Sequence, residues 1–406
     1  MSPRPEPTNF RHNGWPLVMA LSFAQMISWG TIYYGFALFV VPMEEALGWN
    51  RATLNGALSV GSLVGGFCAY PVGRLIDRHG GRLLMSVGSL VASLMFVAWS
   101  QVEEVWAFYA LWIGLGATKA FTLYDPVFAV VTRLFPENFR RRITIITLLG
   151  GLASTIFVPL TAFFIHWLGW RDALLALAAC NLLVCLPVHA FWLRDRVVSN
   201  PPAPVHVTPE LPESRGPMQR ALRHPAFWGL LVSFTAFNMM ASSLTFHYFP
   251  LVAERGVPQA LAVAIFAVIG PCQVLGRIAL LALPPMNAAV IGRVVVTVFP
   301  FAVLLLLPSG GGAILLFGFT LFYGLANGCM TIVRGTAVPD LLWRQGYGAI
   351  NGAIALPGSI AAAVGPTAAA LLWETGDSYG PVLWAIFGLS LLAASAFWFA
   401  VSRREQ

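Results

Sequence analysis

Twelve apolar stretches, each near the length of a membrane span, follow one another along this chain with mostly short polar turns between them. They fall near 15–41, 53–75, 83–101, 106–133, 143–165, 172–193, 226–250, 259–283, 288–308, 312–338, 348–372 and 381–401. A helix needs about 20 mostly apolar residues to cross a hydrocarbon core of about 30 Å. Lipid offers backbone N–H and C=O groups no partners, so each stretch is expected to be a helix. A membrane barrel would instead need short alternating runs, which this sequence lacks. Composition agrees, since 58% of the 406 residues are apolar and only 10% are charged, a balance unsuited to a water-soluble globule of this size. The first apolar run is too long for a signal-peptide core and has no evident cleavage site, so an uncleaved first span is expected.

Between the sixth and seventh stretches the composition turns polar, from Arg194 to His224, with Pro201, Pro202, Pro204, Pro209, Pro212 and Pro217. This is expected to be a linker, 194–224, joining an N-terminal six-helix half, 1–193, to a C-terminal six-helix half, 225–406. Basic residues are retained on the cytoplasmic side of a membrane. Placing both termini there puts Arg74, Arg78, Arg82, Arg133, Arg140, Arg141 and Arg142 in the cytoplasm together with Arg4, Arg11, Arg194, Arg196, Arg215, Arg344 and Arg403. The outer loops then hold only Arg51, Arg171 and Arg255, with carboxylates such as Glu44, Glu103, Glu374 and Asp377. The net charge of +7 is thus an expression of topology, and nucleic acid is not needed to explain it.

One turn carries more than topology. Gly73-Arg74-Leu75-Ile76-Asp77-Arg78-His79-Gly80-Gly81-Arg82 lies between the second and third stretches. Gly80 and Gly81 permit a tight reversal between antiparallel helices, and Gly73 permits close helix approach. The positive-inside rule explains the arginines but not Asp77 at this spacing. The spacing resembles the loop signature of the major facilitator superfamily, Gly-x-Leu-x-Asp-Arg-x-Gly-x-(Arg/Lys), in the place where that family carries it. The resemblance implies a twelve-helix, all-α membrane fold in two six-helix halves that rock about a central site. It also implies a gating role for Gly73, Asp77, Arg78, Gly80 and Arg82. Asp77 would meet the positive end of the eleventh helix near Gly346 to Ala349, with Arg78 and Arg82 on nearby acids or lipid phosphates. The turn between spans eight and nine, Pro284 to Asn287, lacks the Asp and Arg pattern of its counterpart.

Ionisable groups deep in a bilayer each cost at least about 2.5–3.5 kcal/mol, so they point to substrate or proton pathways. Lys119 is the only lysine, near the middle of its stretch. Asp125 lies six residues on, about 9 Å along the axis and about 120° around it, so the two do not stack, although the long lysine stem could still reach the carboxylate. Pro126 withdraws the hydrogen bond to the Thr122 carbonyl and leaves polar backbone beside Asp125. Asp125 is therefore a candidate proton-coupling group and Lys119 a candidate substrate ligand. Arg277 shares a helical face with Gln273, downstream of a bend expected at Pro271, and a buried guanidinium beside an amide suits a carboxylate. Arg293 and Arg334 fit snorkelling better.

Arg277 also sharpens the resemblance, which extends to the monocarboxylate porter and oxalate/formate antiporter branches. Their eighth span carries an arginine that binds the substrate carboxylate, with an aspartate one turn earlier in some members, where this chain has Gln273. The stretch Pro126 to Ala153, with Arg133-Leu134-Phe135, Arg140-Arg141-Arg142 and Gly150-Gly151, resembles the region between their fourth and fifth spans. The lysine those branches carry in span one or span eleven is absent, and Tyr33 and Tyr34 are the nearest first-span candidates. Asn238, Gln25 and Trp29 are further candidates to line a cavity. His247, flanked by Phe246 and Tyr248, is a candidate for proton coupling or for an interfacial aromatic belt.

Cys68, Cys180, Cys185, Cys272 and Cys329 lie inside spans without a C-x-x-C pair, so neither a disulfide framework nor a zinc site is indicated. The segment Gly114-Leu115-Gly116-Ala117-Thr118-Lys119-Ala120 is not a P-loop, which argues against an ATP-driven pump. The expectation is a monomeric, non-enzymatic secondary transporter of the plasma membrane, or of the inner membrane in a Gram-negative bacterium. It needs no cofactor and carries a small organic anion, with protons as the candidate coupling ion. The alternative is a proton-driven exporter of hydrophobic or cationic compounds, although span five has Pro159 without the preceding glycine of drug antiporters.

Overall fold

The structure, a computed structural model, describes residues 14–193, 216–284, 286–308, 312–376 and 378–404. Arg4, Arg11, Arg194, Arg196, Arg215, Asp377 and linker residues 194–215 lie outside the described residues. All twelve spans are present and helical. Span 1 runs from Trp15 to Leu47 as an α-helix Trp15–Ser28, a π-helical turn Trp29–Tyr34 and an α-helix Phe36–Leu47. Span 2 is Arg51–His79, span 3 Arg82–Ser100, and span 4 Val105–Thr122 with Tyr124–Leu134. Span 5 is Phe139–Gly150 with Ala153–Leu168, and span 6 is Trp170–Cys180 continued by π-helical turns Asn181–Cys185 and Val188–Trp192. In the second half, span 7 is Pro225–Glu254, span 8 Gln259–Ala267 with Ile269–Ala282, and span 9 Ala288–Leu304. Spans 10, 11 and 12 are Ala313–Leu341, Tyr347–Gly376 and Tyr379–Ser402.

One expectation changes. The stretch 106–133 is not one helix, because it breaks at Leu123, where the backbone turns extended with ψ −156°. Pro126 at the start of the second piece has no N–H for the Thr122 carbonyl. That carbonyl instead accepts from Gln25 Nε2 of span 1 at 2.5 Å. Within the region 194–224, Pro217–Arg223 forms a short helix with proline in its first turn, where a missing N–H is harmless. This helix touches spans 7 and 11, and the Arg220 guanidinium lies over the Trp343 ring, 4.4 Å from its centroid.

Each half has an aromatic core. In the first, Trp99 and Trp112 pack edge-on at 5.4 Å among Phe36, Phe96 and Phe108. In the second, Phe299 meets Phe237 at 5.1 Å and Tyr323 at 5.8 Å. Between helices, where lipid supplies no hydrophobic drive, small residues allow close packing. A Cβ at Gly65 of span 2 would stand 2.8 Å from the Gly116 carbonyl oxygen of span 4. The broadest helix contact joins the halves: span 2 lies against span 11, which also packs on span 7.

Candidate functional site

The site has two layers, a closed contact at the end of the bundle rich in arginine and an aromatic, sparsely charged centre. At the basic end, span 2 stops at Gly80, whose φ of 82° suits a residue without a Cβ. The last turn of span 2 thereby aims Asp77 at the start of span 11. Its two carboxylate oxygens accept from the Gly348 and Ala349 N–H groups, each at 2.9 Å, at the positive end of that helix. Gly73 makes this approach feasible, since a Cβ there would overlap the Gly348 carbonyl. Arg133 of span 4 donates to the Ile76 carbonyl at 3.0 Å and braces the same turn. Arg82 Nε donates to the Ala190 carbonyl of span 6 at 2.7 Å, and Arg78 is exposed.

A second contact between the halves escaped sequence reasoning. Arg140, at the start of span 5, forks onto Asp340, at the end of span 10, with Nε to Oδ2 at 2.8 Å and an ion pair through Nη2. The Asp340 side chain is 1% exposed and also accepts from the Ala288 N–H at 2.7 Å, at the start of span 9. Asp340 therefore serves the helix that lacks an acidic residue in its own preceding turn. In the sequence its signal was faint: a carboxylate after Pro339 near a span end, far along the chain from Arg140.

Asp125 lies between these locks and the centre. It accepts from Asn351 Nδ2 of span 11 at 3.0 Å, so it too bridges the halves. Tyr347, at the start of span 11, donates from its hydroxyl to the Gly335 carbonyl of span 10 at 3.0 Å. The Lys119–Asp125 ion pair that the lysine stem is long enough to make is not formed. Lys119 turns the other way, donating from Nζ to Ser62 Oγ of span 2 at 3.2 Å, with Nζ 5.6 Å from the Tyr33 and Trp112 ring centroids. The separation around the helix and the break at Leu123 account for this, because the two residues lie on different helical pieces.

Arg277 does not snorkel. It is 4% exposed, its Nε donates to the Gly328 carbonyl of span 10 at 3.2 Å, and its Nη1 is buried without a partner. Nη1 rests against Gly151 of span 5, where any Cβ would overlap it. Gln273, expected to work with it, makes no hydrogen bond to Arg277; its backbone packs on Gly328. The Tyr124 hydroxyl of span 4 packs against Gly150, next to the Gly151 on which Arg277 Nη1 rests. Tyr124 stacks on Phe128 at 5.2 Å and meets Trp29 at 4.9 Å. Thus Arg277, Tyr34, Trp29 and Tyr124 surround one region, with Tyr33 and Lys119 adjoining.

Two other candidates lie apart. Asn238 donates to the Phe234 carbonyl at 2.8 Å and packs against Gly358, within the contact of spans 7 and 11. His247 Nε2 donates to the Pro366 carbonyl at 2.8 Å, and its Nδ1 is 3.0 Å from the Tyr379 hydroxyl, so the ring ties spans 7, 11 and 12. The carbonyl can only accept, which fixes the proton of the neutral ring on Nε2.

Comparison with known proteins follows this geometry. Residues 18–366 match the family model described as Major Facilitator Superfamily. The chain is 25% identical over 392 residues to monocarboxylate transporter 13 of Bos taurus, covering 94% of this chain and 88% of that protein. It is 28% identical over 215 residues to human monocarboxylate transporter 11, covering 49% and 42%. Among solved structures, FucP in its outward conformation superposes with a TM-score of 0.72 at 14% identity, covering 96% of this chain and 99% of that one. The human organic anion transporter MFSD10 superposes with a TM-score of 0.67 at 16% identity, covering 97% and 100%. With its twelve-helix fold and a match across most of its length, the chain belongs to the major facilitator superfamily and is a multi-pass membrane transporter of small molecules, not an enzyme.

Proposed function

We propose that this transporter carries a small organic carboxylate across the plasma membrane by alternating access, as a monomer with both termini in the cytoplasm. The observation that carries this reading is Arg277, a buried guanidinium with an unpartnered Nη1 and no carboxylate beside it among the described residues. A desolvated cation of this kind is costly unless something anionic meets it. A carboxylate can accept two parallel hydrogen bonds from a guanidinium edge. Because Nη1 rests against Gly151 of the opposite half, an anion that takes the place of this contact would touch both halves and report its presence to each. The resemblance to proteins named monocarboxylate transporters supports the same class. In this reading the basic end faces the cytoplasm, and Asp77, braced by its neighbours, holds that side shut while the centre loads from outside.

Asp125 is assigned the proton. Its Asn351 partner links its protonation state to the contact between halves, whereas both His247 nitrogens are engaged away from Arg277. The test is a set of liposomes holding purified protein and an internal pH-sensitive dye, challenged with a panel of small monocarboxylates and dicarboxylates, aliphatic and aromatic, against a protein-free background. Saturable acidification that is lost in Arg277→Ala is expected. Saturable acidification that persists in Arg277→Ala would remove Arg277 as the binding group, and no saturable response would remove proton-linked carboxylate transport.

A further inference from the structure

Lys119 is the unexplained cation of the centre. It has no acidic partner among the described residues and rests instead on Ser62 Oγ and two aromatic faces. Tyr33, one of those faces, is 48% exposed although Trp29, Tyr34 and Lys119 surround it. An open surface among such neighbours belongs to the central cleft, not to the lipid boundary.

The backbone explains why these rings gather. In an α-helix, residues five apart point about 140° away from each other. Across Trp29–Tyr34 the helix is π-type, with the Gly35 N–H bonded to the Gly30 carbonyl at 2.8 Å. Hydrogen bonding from i to i+5 brings residues five apart onto one side. Trp29 consequently meets both Tyr33, at 5.3 Å, and Tyr34, at 6.3 Å, and the two tyrosines meet edge-on at 5.2 Å. The result is an unbroken aromatic strip. Lys119 stands over its Tyr33 end, and from the Trp29 side the strip continues to Tyr124 at 4.9 Å, whose hydroxyl packs on Gly150 beside the Gly151 that Arg277 Nη1 rests against. A short aliphatic acid would engage one cation and leave this strip and the other cation unused. A flat π-system between two oxygen-bearing groups would use all three.

We infer that the cargo is a planar aromatic acid, its carboxylate on Arg277, its ring against the Tyr33–Tyr34 strip, and a second carboxylate or hydroxyl oxygen on Lys119. This rests on the carboxylate reading above and narrows it. The ring prefers the strip to a saturated ring of equal size because aromatic pairs gain from edge and offset contacts.

The test measures binding to the purified full-length protein in detergent by calorimetry, using terephthalate, benzoate, cyclohexane dicarboxylate and adipate. Terephthalate is expected to bind about tenfold more tightly than either the saturated diacids or benzoate, each tenfold step being one decade of Kd. Lys119→Met should bring terephthalate down to the benzoate level, Lys119→Arg should keep most of the gain, and Tyr33→Leu should erase the preference for the aromatic ring. Thermal unfolding of each variant identifies any that no longer folds, and ligand ranking is read only on those that do; the wild-type ranking needs no variant. Saturated acids that bind as well as terephthalate, or a ranking unmoved in a folded Lys119→Met, would overturn the inference while leaving Arg277-dependent carboxylate binding intact. Failure of every acid to bind would instead remove the carboxylate reading itself.

Discussion

Replacing Asp77 by asparagine tests the basic-end lock with little change of volume. In the closed arrangement two backbone N–H groups, of Gly348 and Ala349, each donate to one carboxylate oxygen at 2.9 Å. Asparagine keeps one acceptor and turns an NH2 group toward the other donor. A hydrogen bond to a charged group is worth about 1.5–3 kcal/mol, and a negative charge at a helix N-terminus about 0.3–1 kcal/mol. With the remaining bond retained, a net loss of about 2 kcal/mol is expected in the closed state alone, because water serves both side chains when the end is open. At about 1.4 kcal/mol per decade, the closed-to-open ratio should fall about 30-fold. Spin labels at His79 and Gln345, both exposed at the basic end, report this opening by pulsed electron resonance. A distance distribution in Asp77→Asn that matches the wild-type protein, in a background where Arg140→Gln does open the end, would refute the reasoning and make the Arg140–Asp340 contact the working lock.

Three further outcomes are expected. Gly73→Val should exclude the closed state by overlap with the Gly348 carbonyl, giving a longer label distance than Asp77→Asn in the same experiment. A double-mutant cycle of Arg140→Gln and Asp340→Asn should give a coupling of about 1–2 kcal/mol in the closed-to-open equilibrium, discounted because the arginine is 38% exposed; a coupling near zero would mean that the pair is incidental. Gln25→Leu strands the Thr122 carbonyl at the break in span 4 and should reduce stability by about 1–3 kcal/mol, seen as a lower thermal unfolding midpoint, with an unchanged midpoint arguing that another group takes that carbonyl.

The fold was legible because its controlling variables are one-dimensional. Span length, arginine placement and a local turn pattern are all written in consecutive residues. Even the Gly80 role follows from local sterics, whereas the neighbour that Gly73 admits, Gly348, is 275 positions away. The centre was legible only in part. Arg277, Lys119 and Asp125 stood out as ionisable groups at membrane depth, a property of each residue alone. Their partners did not, because a partner is a property of the packed bundle. Asp125 meets Asn351, 226 positions away, and Lys119 meets Ser62, 57 positions away. The turn in span 1 was hidden for a different reason: Trp29-Gly30-Thr31-Ile32-Tyr33-Tyr34 carries no residue that demands a π-helix, and neighbouring helices select it. The carbonyl freed by Pro126 was foreseeable, but the choice of Gln25 to receive its hydrogen bond was not.

The two contacts that hold the basic end differ in what their acceptors and donors are, and this shapes how the chain tolerates change. Asp77 addresses main-chain N–H groups, which every residue except proline supplies. Substitutions on the span 11 side therefore cannot silence that contact by altering hydrogen-bond chemistry, only by bulk or by proline. Its chemical vulnerability is confined to a single codon. The Arg140–Asp340 contact is written in side chains on both sides, so either codon can break it and a charge swap of both can restore only the ion pair, since an arginine at 340 would leave the Ala288 N–H without its acceptor. Drift in this protein is thus expected to be correlated across the second contact, while at the first it is limited by bulk at Gly73 and Gly348 and not by hydrogen-bond chemistry.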